Sequence, residues 1–160
     1  MIHFRREKVD AELAIEIGPS LEEYHTTSSP FPEIPLAVRW EQYYWMEQEG
    51  VYRFYAGRDD EADNIIVAYS GYIVSSPMQH DGVLAAGHDV LYVHPDYRRD
   101  GIGKEMIICV EKALANEGVE IIEQHVSVRF KYDKMLLEMD YELTDRVYRR
   151  RLSQWESQQH

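Results

Sequence analysis

The sequence has little of what extracellular, membrane-spanning or metal-binding proteins require. Its 160 residues include a single cysteine, Cys109, so no disulfide can form within the chain. No stretch approaches the roughly twenty apolar residues of a membrane span, and the polar N-terminus lacks the apolar core of a secretion signal. The seven histidines are scattered, without the short spacings of a zinc or iron site. These absences predict a cytoplasmic protein without a metal site.

Positive charge is also scarce, and its distribution bears on partners. The chain has 29 acidic and 17 basic residues, a net charge of −12. Residues 1–89 hold 16 acidic and 6 basic side chains, whereas residues 90–160 hold 13 and 11. Such a field repels nucleic acid and attracts cations, which excludes nucleic acid as the expected partner. An alternative stays open, in which the acidic run 59–63 is only the solvated loop of a hairpin.

One segment of the sequence specifies a ligand. Residues 93–104 pass from an apolar strand through a proline turn into the pattern Arg-x-x-Gly-x-Gly, which opens a helix. Gly101 and Gly103 let the backbone turn sharply and approach a ligand, and the unpaired N–H groups at the start of a helix point outward. Phosphate is the anion that such a site holds best. The side chains that add donors there are Arg98, Arg99 and Lys104.

Two other phosphate loops do not fit this segment. A nucleotide P-loop needs four residues between its glycines and Ser or Thr after its lysine, but one residue separates Gly101 from Gly103, and Glu105 follows Lys104. A dinucleotide-binding loop needs a third glycine where Met106 stands. The remaining alternative is a strand-to-helix turn without a ligand.

The rest of the chain alternates helices and strands in a single domain over residues 1–152. The apolar periodicity predicts a helix over 9–24 with a bend or break at Gly18-Pro19, followed by a loop over 28–32 and a helix over 38–49. Strands follow over 51–56, 65–75 and 89–93, then a helix over 102–116, a strand over 119–128 and a short helix over 132–139. We expect a closing strand or strand pair over 141–151 and a frayed tail over 153–160.

The segment that ends in Arg98-x-x-Gly101-x-Gly103, after a strand ending in Val93-x-Pro95, resembles the pyrophosphate loop of the GNAT acetyltransferases. Residues 136–143 take the place of that family's Tyr-x-x-x-Gly-Phe segment, with Asp140 where the family has glycine. The pattern is similar to small members carried by bacteria and phages. The resemblance implies a mixed α/β fold, with a twisted and mostly antiparallel sheet and helices on both faces.

The resemblance also implies acetyl-CoA as cofactor and acetyl transfer to an amine by direct attack. The implied acceptor is a small molecule or a peptide, and the acidic half of the chain favours a cationic one. A homodimer is left open as the assembly. The strand residues expected to hold the pantetheine arm and support the thioester oxygen are Leu91, Tyr92 and Val93. The residues expected at the pyrophosphate are Arg98, Arg99, Asp100, Gly101, Ile102, Gly103 and Lys104.

Direct attack requires a base that deprotonates the amine, because an alkylamine with a pKa near ~10 is mostly protonated at neutral pH. Asp89 lies on the strand that leads to the cofactor, and a period of two places it on the same face as Leu91 and Val93. It is a candidate for the base or for the anchor of a water. Glu123 and His125 share a face of the next predicted strand and are the other candidates.

The departing thiolate also needs a proton. In many GNAT enzymes a tyrosine five residues before the closing aromatic donates it, and counting back from Tyr141 gives Leu136, which has no proton to offer. Tyr132 lies one helical turn earlier on nearly the same face and is the candidate acid. Two non-enzymatic alternatives stay open: a catalytically silent acetyl-CoA-binding domain, and an acidic protein that binds a host factor.

Overall fold

A five-stranded sheet with the order β1-β2-β3-β4-β5 forms the centre of the computed structural model, which describes residues 1–98, 100–130 and 132–152. The strands are β1 (Ile2–Glu7), β2 (Tyr52–Asp59), β3 (Ile65–Ser75), β4 (Ala85–Val93) and β5 (Ile121–Glu123). Neighbouring strands pair antiparallel from β1 to β4, whereas β5 runs parallel to β4. This is the mixed and mostly antiparallel sheet that the resemblance implied.

Helices cover both faces of the sheet. They are α1 (Ala11–Ser28), α2 (Trp40–Gln48), α3 (Ile102–Asn116) and α4 (Asp133–Glu138), with a 3-10 turn over Pro95–Tyr97. One apolar cluster joins α1 to the sheet through Val9, Leu13, Ile17, Tyr52, Phe54, Tyr69, Val90 and Tyr92, and side chains of α2 pack against it. The other cluster joins α3 to the opposite face through Tyr55, Ala68, Tyr72, Ala86, Ile102, Met106, Val110 and Leu114. The helical stripe predicted for residues 102–116 is therefore the buried face of α3.

Two differences from the predicted elements lie near the N-terminus. The strand β1 was not predicted, because its alternation is masked by charge: Ile2 and Phe4 face the core while Arg5 and Arg6 do not. The sequence predicted a bend or break at Gly18-Pro19, but the helix is not broken there, since α1 continues through Pro19. Proline there removes one hydrogen bond, to the carbonyl of residue 15, on a side of the helix that water reaches.

Two other differences lie at the far edge of the sheet. The strand predicted over 119–128 is formed only over Ile121–Glu123. The closing strand or strand pair predicted over 141–151 is not formed: the described residues there contain no strand. A strand requires a neighbouring edge, and β5 ends after three residues, so it offers almost none. The predicted tail, 153–160, lies outside the described residues. None of the described helices is long and apolar enough to cross a membrane.

Candidate active site

A β-bulge in β4 places Asp89 at the site. Gly71 of β3 is opposite Val90, and the next residue, Tyr72, is opposite His88, so Asp89 is an extra residue with no partner across the pair. An extra residue resets the alternation of side chains along a strand. Ala86, before the bulge, and Leu91 and Val93, after it, consequently contact the α3 cluster, whereas Val90 and Tyr92 belong to the α1 cluster.

The predicted orientation of Asp89 is wrong for this reason. A period of two placed it on the face of Leu91 and Val93, whereas its carboxylate lies on the opposite face, where it contacts Tyr43 of α2 and Tyr52 of β2. The period holds for a regular strand and fails where one residue is inserted. Asp89 is exposed at this position, next to the buried Val90.

The Asp89 carboxylate accepts two hydrogen bonds on one oxygen. The hydroxyl of Tyr43 donates to Oδ2 at 2.9 Å, and the hydroxyl of Tyr52 donates to the same atom at 2.8 Å. Burial, together with the charge of Asp89, raises the pKa of both tyrosines well above the ordinary value, so both hydroxyls keep their protons and donate. The second oxygen, Oδ1, accepts no hydrogen bond from the described residues.

The backbone of β4 is open on the side away from β3. The N–H of His94 donates to a β3 carbonyl, and by the alternation of strand hydrogen bonds the N–H and C=O groups of Leu91 and Val93 point to the other side. There β5 pairs with β4 only as far as Gly87. The Val93 carbonyl accepts from Nε of Arg98 at 2.8 Å, and the other groups of this edge are available to a ligand.

The strands β4 and β5 stop pairing next to His88. Nδ1 of His88 accepts the backbone N–H of His125 at 3.1 Å, in place of a β4 carbonyl. The imidazole is 5% exposed, and its ring packs 5.8 Å from that of Tyr72. Burial, and secondarily the neighbouring His125, lowers the pKa of His88 to about 4, which keeps Nδ1 neutral and able to accept.

The glycine loop presents backbone donors at the start of α3. Gly101 adopts φ +76° at the N-cap, a left-handed conformation that favours glycine, and no side chain caps the helix. The N–H groups of Gly101 and the next three residues have no acceptor within the described part of the chain. A Cβ on Gly103 would lie 3.5 Å from Val93, so the helix packs closely on the strand end. Lys104 is exposed beside the loop, and Arg99 lies outside the described residues.

Arg98 is engaged within the protein, although the sequence predicted it as a donor to the pyrophosphate. Besides its bond to Val93, the guanidinium forms a 3.0 Å ion pair with Glu23 of α1. The side chain therefore ties α1 to the end of β4. Asp100 is exposed in the turn that follows.

The other predicted catalytic residues lie in β5 and in the segment that follows it. Asp89, Glu123 and His125 line one large cleft, of about 2250 Å³. The shared face predicted for Glu123 and His125 rested on a longer strand, and only Glu123 belongs to β5. Tyr132 is the N-cap residue of α4 and donates its hydroxyl to the carbonyl of His125 at 3.1 Å; burial raises its pKa.

The segment after α4 shows why one position of the family's motif favours glycine. Asp140 adopts φ +65°, so the position compared with the family's motif glycine is in the left-handed region. Leu136, at the position of the family's tyrosine, is buried, and the hydroxyl of Tyr141 donates to Glu111 of α3 at 2.6 Å. Among the described residues, no group of three or more His, Cys, Asp or Glu side chains could hold a metal ion.

The chain matches one family of known proteins. The model of the acetyltransferase (GNAT) family matches residues 19–131. No curated protein matches the chain. Solved structures do match, and at their identities the likeness shows the fold.

Three of these structures illustrate the likeness. An aminoglycoside acetyltransferase from an uncultured soil metagenomic sample, in complex with sisomicin, is 15% identical with a TM-score of 0.71, and the match covers 93% of this chain and 95% of that chain. A ribosomal-protein-alanine N-acetyltransferase from Brucella melitensis biovar Abortus is 18% identical with a TM-score of 0.68, over 94% and 99%. A predicted acetyltransferase from Clostridium acetobutylicum, with acetyl-CoA, is 12% identical with a TM-score of 0.67, over 100% of both chains.

Proposed function

This chain belongs to the GNAT acetyltransferase family, and we propose that residues 1–152 form a cytoplasmic N-acetyltransferase that transfers acetyl to a primary amine by direct attack. The observation that carries the proposal is the arrangement along β4: a carboxylate with a free oxygen at the bulge, an open backbone edge after it, and unpaired N–H groups at the glycine loop. GNAT enzymes use acetyl-CoA, which supplies acetyl as an activated thioester.

The residues present fit acetyl-CoA at two places. Along the open edge, Leu91 and Val93 offer backbone groups to the amides of the pantetheine arm, and an N–H there can support the thioester oxygen. The backbone groups of Tyr92, also predicted at this place, point to β3 instead. The N–H groups of residues 101–104, with the side chain of Lys104, offer donors to the pyrophosphate. Arg98, already bonded to Glu23, contributes by holding the loop at the strand end. Among the other predicted loop residues, Ile102 contributes through the main chain, Asp100 is exposed in the turn before the helix, and Arg99 lies outside the described residues.

Asp89 is the base that we propose. An ammonium must lose a proton before it attacks, and Oδ1 of Asp89 is a carboxylate oxygen that accepts no hydrogen bond from the described residues. The proton passes to Oδ1 directly or through one water. Glu123 and His125 line the same cleft and are the alternatives for this step.

Tyr132 is the acid that we propose for the leaving thiolate. Its raised pKa keeps the hydroxyl protonated, as a proton donor requires. The hydroxyl now donates to the carbonyl of His125, so it must turn from that carbonyl to donate elsewhere.

The acceptor is proposed to be a cationic small molecule or a protein N-terminus, on the strength of the acidic first half of the chain. A panel of polyamines, aminoglycosides, amino acids and peptides with free N-termini, assayed by thiol release from acetyl-CoA, tests this. We expect a cationic acceptor to be best and its kcat/KM to fall as salt rises, because salt screens exposed charges beyond about 10 Å at 0.1 M. An acceptor of net negative charge as the best substrate would contradict the proposal.

Asp89→Asn tests the base. We expect kcat/KM to fall by roughly 10²- to 10⁴-fold, the usual range for a general base, while stabilisation by acetyl-CoA stays unchanged. Glu105→Gln, an exposed carboxylate on α3, is the control and should keep its activity. Full turnover by Asp89→Asn would refute the assignment.

A second function is favoured by one observation. Leu136 stands where many relatives have the proton-donating tyrosine, as expected of a domain that binds acetyl-CoA without turnover. Binding of acetyl-CoA, without transfer to any amine of the panel, would support this silent domain. An acidic protein that binds a host factor would show neither, and the unpaired loop donors would be without a role.

A further inference from the structure

We propose that Tyr43 and Tyr52 are positioning residues that fix the Asp89 carboxylate and turn its free oxygen toward the acceptor amine. The inference rests on the proposed role of Asp89 as base and adds the groups that make it effective. Both hydroxyls donate to Oδ2, at 2.9 and 2.8 Å. Rotation of the carboxylate by half a turn would only exchange its two equivalent oxygens, and a large rotation short of that would carry Oδ2 away from both hydroxyls. The pair therefore holds Oδ1 in one direction.

The two donors are themselves rigid. Tyr52 is 2% exposed in the α1 cluster, so its ring is fixed by packing. The ring of Tyr43 meets it edge to face at a centroid distance of 5.1 Å, and the ring of Trp40 lies 5.9 Å from that of Tyr43. The two hydroxyls come from different elements, α2 and β2, so a movement of one element would not carry both donors with it. A fixed donor pair places a carboxylate more narrowly than flexible side chains would.

Gly71 makes room for this arrangement. It lies on β3 beside Val90, and a Cβ there would overlap the hydroxyl of Tyr52. The phenol therefore crosses β3 at the one position without a side chain and reaches the bulge on β4. The backbone of two strands, and not only the side chains, is built around the contact between Tyr52 and Asp89.

The surroundings of Asp89 supply no cation. The titratable groups whose pKa responds to its charge are Tyr24 from α1, Tyr43 from α2, Tyr52 from β2 and, from the other face of β4, His88. The described residues form no ion pair with Asp89. Hydroxyl donors and aromatic rings surround a negative charge, and such rings also attract an ammonium. The charge partner that fits Oδ1 is the ammonium of the acceptor.

Phenylalanine variants test the inference, because they remove the hydroxyl and keep the ring. The test variants are Tyr43→Phe and Tyr52→Phe. Their matched controls are Tyr44→Phe, from the same helix, and Tyr55→Phe, from the same strand, whose buried hydroxyl has no partner among the described residues. The first measurement needs no acceptor: it is the rise in Tm on addition of acetyl-CoA, which we expect to be unchanged in the test variants and in the controls.

The second measurement uses the best acceptor of the amine panel in a double-mutant cycle. We expect each test variant to lower kcat/KM roughly tenfold, since bonds to a charged group are strong, and to have no further effect on the Asp89→Asn background. An equal loss on both backgrounds would show that the tyrosines only support the fold and would overturn the inference. Full turnover by Asp89→Asn would instead overturn the base assignment, and this inference with it.

Discussion

Replacement of Gly101 by valine can test cofactor binding separately from backbone strain. The matched control is Gly118, at the other end of α3. Gly101 and Gly118 have φ of +76° and +87°, and a Cβ at either would have no heavy atom within 4 Å. The Cβ of a valine at either site therefore meets no such neighbour, and the substitution costs the left-handed penalty, about 1–2 kcal/mol. For a chain of this size we expect Tm to fall by about 2–8 °C in both variants.

Binding of acetyl-CoA should distinguish the two variants. At a concentration about a hundredfold above Kd, the ligand stabilises a protein by about 2.7 kcal/mol, which corresponds to roughly 5–11 °C in Tm here. Gly118→Val should keep this increase, since residue 118 lies a whole helix from the loop. Gly101→Val should lose this increase in Tm, because the valine side chain would block access to the N–H groups that we assign to the pyrophosphate. Gly103→Val should lose it too, since its methyl groups would crowd Val93 at the strand end.

Thermal unfolding followed by calorimetry, with and without acetyl-CoA, measures both effects. Dephosphorylated pantetheine derivatives that lack the pyrophosphate serve as a second ligand, and their smaller stabilisation should be equal in the unsubstituted protein and Gly101→Val. If Gly101→Val and Gly103→Val both keep the full increase with acetyl-CoA, the loop does not bind the pyrophosphate and the reasoning fails.

Three further outcomes follow from particular side chains. Tyr132→Phe should lower kcat tenfold or more with nearly unchanged acetyl-CoA affinity, within the ~10²–10⁴-fold range of general acids; full turnover would assign the proton to water or to another tyrosine. The pKa of His88 is about 4 in the folded protein against 6.5 without burial, so its contribution to stability is complete above pH 6.5 and is lost as pH falls toward 4. His88→Gln should therefore show a smaller drop in Tm between pH 7 and 4.5, and parallel curves would contradict this. Asp140→Gly relieves a φ of +65°, so we expect a gain of about 1 kcal/mol, measured as a rise in the urea midpoint; a lower midpoint would show that Asp140 is held by a contact of its own.

The features predicted correctly from the sequence depend on neighbours close along the chain. The glycine loop and the apolar stripe of α3 can be recognised because each is set by residues within a few positions of one another. The strand 65–75 was predicted with its observed bounds for the same reason. Local chemistry was thus sufficient to predict the structure of the segment to which we assign the cofactor.

The groups around Asp89 could not be predicted, since they come from distant parts of the chain. Tyr43 and Tyr52 precede Asp89 by 46 and 37 residues, and no local pattern marks either as its partner. Arg98 was predicted as a free donor, and its partner Glu23 lies 75 residues away. The bulge itself leaves no mark in a run of β-forming residues, so the face of Asp89 was assigned by an alternation that the strand does not keep.

The bulge makes the site depend on how many residues β4 contains, and not only on which ones. The loss of Asp89 would leave His88 opposite Tyr72 and Val90 opposite Gly71, as they are now, so β4 would become a regular strand. Residues that now contact α3 would still face α3, and residues of the α1 cluster would still face α1. Deletion of this one codon would therefore remove the carboxylate of the site and leave the two layers of the fold in place.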